Sequence, residues 1–209
     1  MKVLSYNLYG VKDTPKNIPT WETRQENLQR ILSKLLKDEE IKVACFQEVN
    51  ANNIDMLESI LEKNHFECLK KFPMITQLLN QYNIVAIKKD KELITNKIIC
   101  IPHGRDLEYK EPKDQIIDYG MSDYRTTVFV NFKLKNKTYL IGNTHTDYIS
   151  TEGKIKGIKK SLHFMNGIDA DYKMVLGDMN MVCHMSEVYQ ILKENNNYTT
   201  LSRNSDFDI

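Results

Sequence analysis

Short apolar runs alternate along this chain with longer stretches of helical periodicity, and several of the runs end abruptly in Asn, Glu, His or Asp. A buried strand that stops at a polar side chain delivers that side chain to the rim of a sheet. This alternation therefore constrains the fold and marks where chemistry can sit. Residues 2–6 read as a strand ending at Asn7, and residues 42–46 (Lys-Val-Ala-Cys-Phe) as a buried strand followed at once by Gln47 and Glu48. Residues 84–87 and 93–101 read as two more strands. Residues 126–134 and 137–142 form a pair joined by Lys135-Asn136, a plausible hairpin turn, and lead to Asn143-Thr144-His145. A final strand over 173–176 ends in Gly177-Asp178-Met179-Asn180.

The helical stretches lie between these runs. Leu28, Ile31, Leu32, Leu35 and Leu36 make one apolar stripe, which predicts a helix over 21–37; Thr23 and Glu26 have capping-box spacing, so its start slips toward Thr23. Ile54, Leu57, Ile60 and Leu61 predict a second helix over 52–63. Further helices are expected over 152–166, with Lys154, Lys156, Lys159 and Lys160 on a solvated face, and over 184–195. Residues 102–123, with two Pro, two Gly and many charges, read as a long surface loop. Helices and strands that alternate but include a hairpin predict a two-sheet mixed α/β sandwich flanked by helices, not a purely parallel sheet. At 209 residues, one domain spanning 1–209 is expected.

Composition removes several function classes. A formal net charge of +1 argues against binding nucleic acid by bulk positive charge, though it leaves room for a local basic groove. Cys45, Cys68, Cys100 and Cys183 are widely spaced without a C-x-x-C, which disfavours a disulfide lattice or zinc knuckle and fits free thiols in a reducing, cytoplasmic setting. No window approaches the length of a transmembrane helix, and the first residues lack the apolar stretch of a secretory signal. Gly153, Gly157 and Lys159 do not have P-loop spacing. The methionines at 174, 179, 181 and 185 read as core filler, and Cys183-His184 as incidental.

Taken singly, the polar strand ends are ordinary: Asn7 suits a turn, Glu48 a strand exit, His145 a structural hydrogen bond and Gly177-Asp178 a tight corner. Taken together they form a set of hard oxygen donors with one imidazole. A carboxylate beside an amide oxygen suits Mg²⁺ (or Mn²⁺), which takes few protein ligands and keeps water for a substrate phosphate. A histidine and a second Asp–Asn pair would then hold a scissile phosphate and a water, the logic of metal-assisted phosphoester hydrolysis.

Ser5-Tyr6-Asn7, Phe46-Gln47-Glu48-Val49, Gly142-Asn143-Thr144-His145 and Leu176-Gly177-Asp178-Met179-Asn180 occur in that order, with Trp21 and Arg24 opening the first helix and Tyr124-Arg125 before the strand at 126. From Met1 to about Asn180 the chain resembles the endonuclease/exonuclease/phosphatase superfamily of deoxyribonuclease-I-like phosphoesterases. The resemblance implies that Glu48 is the principal metal ligand with Asn7 beside it, and that His145 hydrogen-bonds the scissile phosphate. It further implies that Asp178 orients or deprotonates the attacking water, that Asn180 contacts the phosphate and steadies Asp178, and that Arg125 and Asn143 face the substrate. In-line attack by water without a covalent intermediate is the implied chemistry.

The resemblance stops short of the superfamily's closing pattern, a late-strand Asp and a terminal Ser-Asp-His. Either Ser205-Asp206-Phe207 is a degenerate form of that terminus, or Asp208-Ile209 begins the late strand and the chain stops before the pattern is complete. The second reading is preferred, because residues 181–209 leave little length to reach it. The leading expectation is a Mg²⁺-dependent phosphodiesterase with nucleic acid as the preferred substrate class. A phosphatase or phosphodiesterase of a small phosphorylated or lipid head-group substrate is the first alternative. A non-catalytic phosphate-binding scaffold built on Asn7, His145 and Asn180 is the second.

Overall fold

Strand β2 (Ile41–Asn50) buries both of its faces, and the whole architecture follows from that. Because side chains alternate along a strand, Val43 and Cys45 point one way and Ala44 and Phe46 the other, and none of the four is exposed to solvent. A computed structural model describes residues 1–9, 19–76 and 80–180, and in it each face of β2 meets a different layer. The expected helix over 184–195, Cys183-His184 and the closing-motif readings lie outside the described residues.

The first sheet contains β1 (Lys2–Asn7), β2, β5 (Gln81–Lys88) and β3 (Phe66–Cys68) in the order β1-β2-β5-β3, with the two-residue β4 (Pro73–Met74) also paired to β5. Strands β1 and β2 are parallel, and β5 runs antiparallel to β2, β3 and β4. The second sheet has the order β6-β7-β8-β9, from β6 (Leu93–Pro102), β7 (Thr126–Leu134), β8 (Lys137–His145) and β9 (Tyr172–Asp178). Its first three strands are antiparallel neighbours, and β9 joins β8 in parallel. Val43, Cys45, Val85 and Ile87 from one sheet pack on Val128, Val130, Phe132 and Ile141 from the other. Helices α1 (Trp21–Leu35) and α2 (Ile54–Lys63) cover the outer face of the first sheet through Leu28, Leu32, Leu57 and Leu61. Helix α3 (Thr151–Asn166) covers the outer face of the second through Ile158, Leu162 and Met165. This is the two-sheet mixed α/β sandwich flanked by helices that the alternation predicts.

Local differences have physical causes. Helix α1 starts at Trp21, not Thr23, because the Arg24 amide already bonds the Thr20 carbonyl at 3.0 Å and no capping box forms. Its buried stripe is narrower than expected: Leu28, Leu32 and Leu36 are covered while Ile31 and Leu35 stay 36% exposed. Lys160 does not sit on a solvated face. It is half-buried and donates to the carbonyls of Gly104 and Asp106, pinning the long loop after β6 to α3. That loop is irregular except for a single 3-10 turn at Pro112–Asp114. The hairpin at Lys135-Asn136 is present, with Leu134 paired to Lys137.

One side chain ties the two sheets together at the end that matters. Between Phe46 and Val49, β2 carries an extra residue relative to β5, whose partners step only from Ile84 to Tyr82. The last ladder pair before this bulge is Phe46–Ile84. Asn143, from β8 in the opposite sheet, donates its amide to both of those carbonyls at 2.9 Å and accepts from Gln47 Nε2 at 2.6 Å. The expectation that Asn143 faces substrate is therefore corrected: its amide is fully buried and joins the sheets. Replacing Asn143 with Ala strands two buried carbonyls and the Gln47 amide. It should lower the free energy of unfolding by about 2–4 kcal/mol, read by urea denaturation; a loss within about 0.5 kcal/mol would overturn the clamp.

A second buried polar cluster lies between β7, β8 and α3. His103 Nε2 meets Thr127 Oγ1 at 2.9 Å, and Thr127 in turn bonds Thr144 and Ser161, each at 2.8 Å. Burial, reinforced by Arg125, pushes His103 down from its ordinary value near 6.5 to about 3. The folded ring thus stays neutral where the unfolded chain takes up a proton. Stability is full above the ordinary value and is lost as pH falls toward 3, at about 1.4 kcal/mol per pH unit. Between pH 6.5 and 5, His103→Gln should lose about 2 kcal/mol less than the parent in denaturant titrations; equal pH slopes would refute the assignment.

Candidate active site

The strand ends expected to carry chemistry meet at one end of the sandwich. Asn7 is the last residue of β1, His145 the last of β8 and Asp178 the last of β9, and His145 and Asp178 are ladder partners. Glu48 arrives by a different route. It sits inside β2, at the bulge, with a positive φ of 55°. Left-handed backbone is unfavourable for a residue with a Cβ, so the surroundings must hold it. They do so through Asn53, whose Nδ2 donates to the Glu48 carbonyl at 3.1 Å while its Oδ1 accepts from the Asn50 amide at 2.9 Å.

Asn7 is the bridge between the two sheets' carboxylates. Its Nδ2 donates to Glu48 Oε1 at 2.9 Å and to Asp178 Oδ2 at 2.7 Å. Its Oδ1 accepts from the Tyr9 amide at 2.8 Å, closing an Asx turn. Arg24 steadies this turn by donating to the Tyr9 carbonyl at 2.5 Å and lying over the rings of Tyr9 and Trp21. Trp21 and Arg24, singled out by resemblance, are thus supports of the Asn7 corner.

Asp178 is aimed by its backbone. Gly177 has φ 138°, and a Cβ there would fall 1.9 Å from the Thr144 carbonyl oxygen, so only glycine lets β9 pass β8 this closely. Asp178 Oδ1 accepts from the Asn180 amide at 2.8 Å, and Asn180 Nδ2 donates to the Thr146 carbonyl at 2.8 Å. Asn180 thus links Asp178, through its backbone amide, to the Thr146 carbonyl, through its side chain.

His145 is buried, with its Nε2 4.0 Å from Glu48 Oε1 and its Nδ1 3.1 Å from Arg125 Nη1. Burial, then the Arg125 charge, pushes it down to about 3 against the opposing pull of Asp178 and Asp147, so the ring is neutral at ordinary pH. Arg125 is not the open phosphate contact expected of it. Only 3% exposed, it is bonded through Nη2 to Asp123 Oδ2 at 2.6 Å and through Nη1 to His145. Asp147 closes the group, with Oδ2 accepting from the Ser122 amide and hydroxyl at 2.8 and 2.6 Å and Oδ1 from the amides of Ile149 and Ser150. Burial alone would raise the Asp147 carboxyl, but these hydrogen bonds outweigh it and hold the group below its ordinary range. Sequence reasoning missed Ser122 and Asp123 altogether. The position of Asp123, two residues before an arginine that needed a partner, was the available signal.

Asn7, Glu48, His145, Asp178 and Asn180 are therefore together, while Asn143 and Arg125 lie behind them in the protein interior. Ligand atoms of Glu48, His145 and Asp178 all lie within 4.8 Å of one another. Two half-buried carboxylates converging on one point fit a small hard cation through their oxygens, while Asn7 turns its Nδ2 donor toward them and gives its Oδ1 to the Tyr9 amide.

No family model matches the chain, and no curated protein matches it by sequence. Solved structures do match by shape. The endonuclease/exonuclease/phosphatase from Bacteroides vulgatus superposes with a TM-score of 0.71 at 18% identity, over 92% of this chain and 70% of that one. ANGEL2, a 2',3'-cyclic phosphatase, gives 0.68 at 16%, over 92% of this chain and 56% of its own. TDP2 from D. rerio, complexed with a single-strand DNA product, gives 0.61 at 11%, over 86% and 60%. This chain thus spans less than two thirds of the length of the latter two. Its described residues have the endonuclease/exonuclease/phosphatase fold.

Proposed function

We propose that the chain is a divalent-metal-dependent phosphoesterase, and that Glu48, Asn7, His145, Asp178 and Asn180 are its working residues. The observation that supports this most directly is the meeting of Glu48, His145 and Asp178 within 4.8 Å at the strand ends, bridged by Asn7. Glu48 would hold Mg²⁺ or Mn²⁺, with Asn7 orienting its carboxylate through Nδ2. Bound there, the ion would neutralise charge on the phosphoryl group and the leaving oxygen.

The chain's own groups supply the remainder. Asp178 has both oxygens oriented by single donors, from Asn7 and from the Asn180 amide, which leaves lone pairs to align a water and take its proton. The water oxygen bonds to phosphorus as the ester oxygen departs in line. His145 stands at the same cleft with Nε2 toward Glu48 and donates a hydrogen bond to a non-bridging phosphoryl oxygen. Asn180 keeps Asp178 from rotating away.

A phosphodiester of nucleic acid is the substrate class we favour. TDP2 holds single-strand DNA on the same fold, and Lys156 and Arg105 lie over the ring of Tyr119 in the loop that also carries Ser122 and Asp123. ANGEL2 acts on a cyclic phosphate, so a compact phosphorylated substrate is the competing reading. Among the described residues no helix is long and apolar enough to cross a membrane.

Hydrolysis of bis(p-nitrophenyl) phosphate with Mg²⁺ should fall at least about 100-fold in Glu48→Gln and in Asp178→Asn, and should vanish with EDTA and return with added metal. Equal rates in parent and both variants would refute the enzyme and leave the phosphate-binding scaffold. Cleavage of single-strand DNA should weaken steeply between 50 and 200 mM salt, roughly in proportion to the number of phosphates contacted, whereas turnover of the small diester should hardly change.

A further inference from the structure

The contact between Arg125 and His145 determines where a proton sits. A guanidinium carries five N–H donors and no acceptor. Its Nη1 lies 3.1 Å from His145 Nδ1, a distance that makes a hydrogen bond only if Nδ1 presents a lone pair. Were Nδ1 protonated, two N–H groups would face each other at 3.1 Å, too close for a water to stand between them. The neutral ring must then carry its proton on Nε2, the nitrogen that points toward Glu48 and the cleft.

We infer that Arg125 is a positioning residue that locks His145 in the Nε2–H tautomer, so that the ring offers a donor, not a lone pair, to the space between Glu48 and Asp178. The use made of that donor rests on the phosphoesterase reading, in which a phosphoryl oxygen receives it. Two consequences follow from the geometry. By distance alone His145 belongs to the set that can ligate a metal, but a protonated Nε2 has no lone pair to give. The metal is thereby left to the oxygen donors. Arg125, expected on substrate, instead acts through the imidazole in front of it.

The lock is itself held rigidly. Asp123 takes Nη2 at 2.6 Å, and Asp147 Oδ2 stands 4.0 Å from Nε. Asp147 cannot swing, because four backbone amides and the Ser122 hydroxyl bond its two oxygens. The two buried acids fix the plane of the guanidinium and leave Nη1 as the edge turned to His145. The groups facing the imidazole are Arg125, Asp147 and Asp178 around the ring and Glu48 across the cleft.

The test is long-range ¹H–¹⁵N correlation spectroscopy on the full chain labelled with ¹⁵N-histidine at neutral pH, with the His145 signals identified by their loss in His145→Gln. The expected spectrum has a pyrrole-like Nε2 and a pyridine-like Nδ1. In Arg125→Met the Nδ1 lone pair loses its donor while Asp147, whose charge acts on the ring, remains, and the ring should move toward the Nδ1–H form. Arg125→Lys, which keeps a donor and the charge, should retain the parent pattern. On bis(p-nitrophenyl) phosphate, kcat should fall at least about tenfold in Arg125→Met with KM changed by less than about threefold, and Arg125→Lys should recover most of it. A pyrrole-like Nδ1 in the parent overturns the inference, as does an unchanged ring in folded Arg125→Met. Should Arg125→Met not fold, the parent spectrum alone decides. An Nε2–H ring in a chain without turnover upholds the lock and refutes the phosphoesterase reading; turnover with an Nδ1–H ring does the reverse.

Discussion

A single extra residue in β2 organises the candidate site. Without the bulge between Phe46 and Val49, side-chain alternation would carry Glu48 to the helix-facing side with Ala44 and Phe46, away from the strand ends that face Asp178. With it, Glu48 turns through left-handed backbone and reaches Asn7, 2.9 Å away. The bulge interrupts the β2–β5 ladder at Phe46–Ile84, and the second sheet supplies the missing donor through Asn143. The distortion that positions the acid is thus also the place where the sheets are joined. Coupling the two limits relative movement of the sheets where residues from both must meet.

The same economy recurs around His145. Arg125 and Asp123 flank the buried Tyr124 and are themselves buried, bonded to each other at 2.6 Å. A buried salt bridge of this kind is weak support for stability, since desolvation offsets much of the attraction. Its value is orientation. The acid–base–imidazole chain runs from backbone amides, through Asp147 and Arg125, to His145 Nδ1, behind the Nε2 that faces Glu48. The backbone corners follow the same pattern: Gly177 brings Asp178 beside His145 because no side chain fits against the Thr144 carbonyl.

Much of this was legible in the residues before any coordinates. The compact apolar run at Val43–Phe46 announced a buried strand, residues 126–134 announced a strand of a hairpin, and the apolar stripes announced the helices over the first sheet. The abrupt polar ends identified Asn7, Glu48, His145, Asp178 and Asn180, which do meet. The extent of β2 was not legible, because Gln47 and Glu48 look like a strand exit, and a bulge hides a continuing strand behind polar residues. The short β3 and β4 were missed because three- and two-residue strands have no periodicity to show.

Arg125 and Asn143 were misjudged for a common reason. Both sit within motifs whose residue types suggest contact with substrate, and sequence cannot tell a polar side chain facing a cleft from one facing a buried carbonyl or carboxylate. The distinction depends on which partner lies across the sheet interface. For Asn143 the partners are more than 50 residues away in sequence, at Phe46 and Ile84. For Arg125 the acid Asp123 is near in sequence, but the imidazole is supplied by the next strand. Buried polar groups must find partners, and here those partners belong to the machinery's support. The residues of the site therefore divide by depth. Half-buried Glu48, Asp178 and Asn7 meet the cleft, and fully buried Asn143, Arg125 and Asp147 hold them and the His145 ring in place.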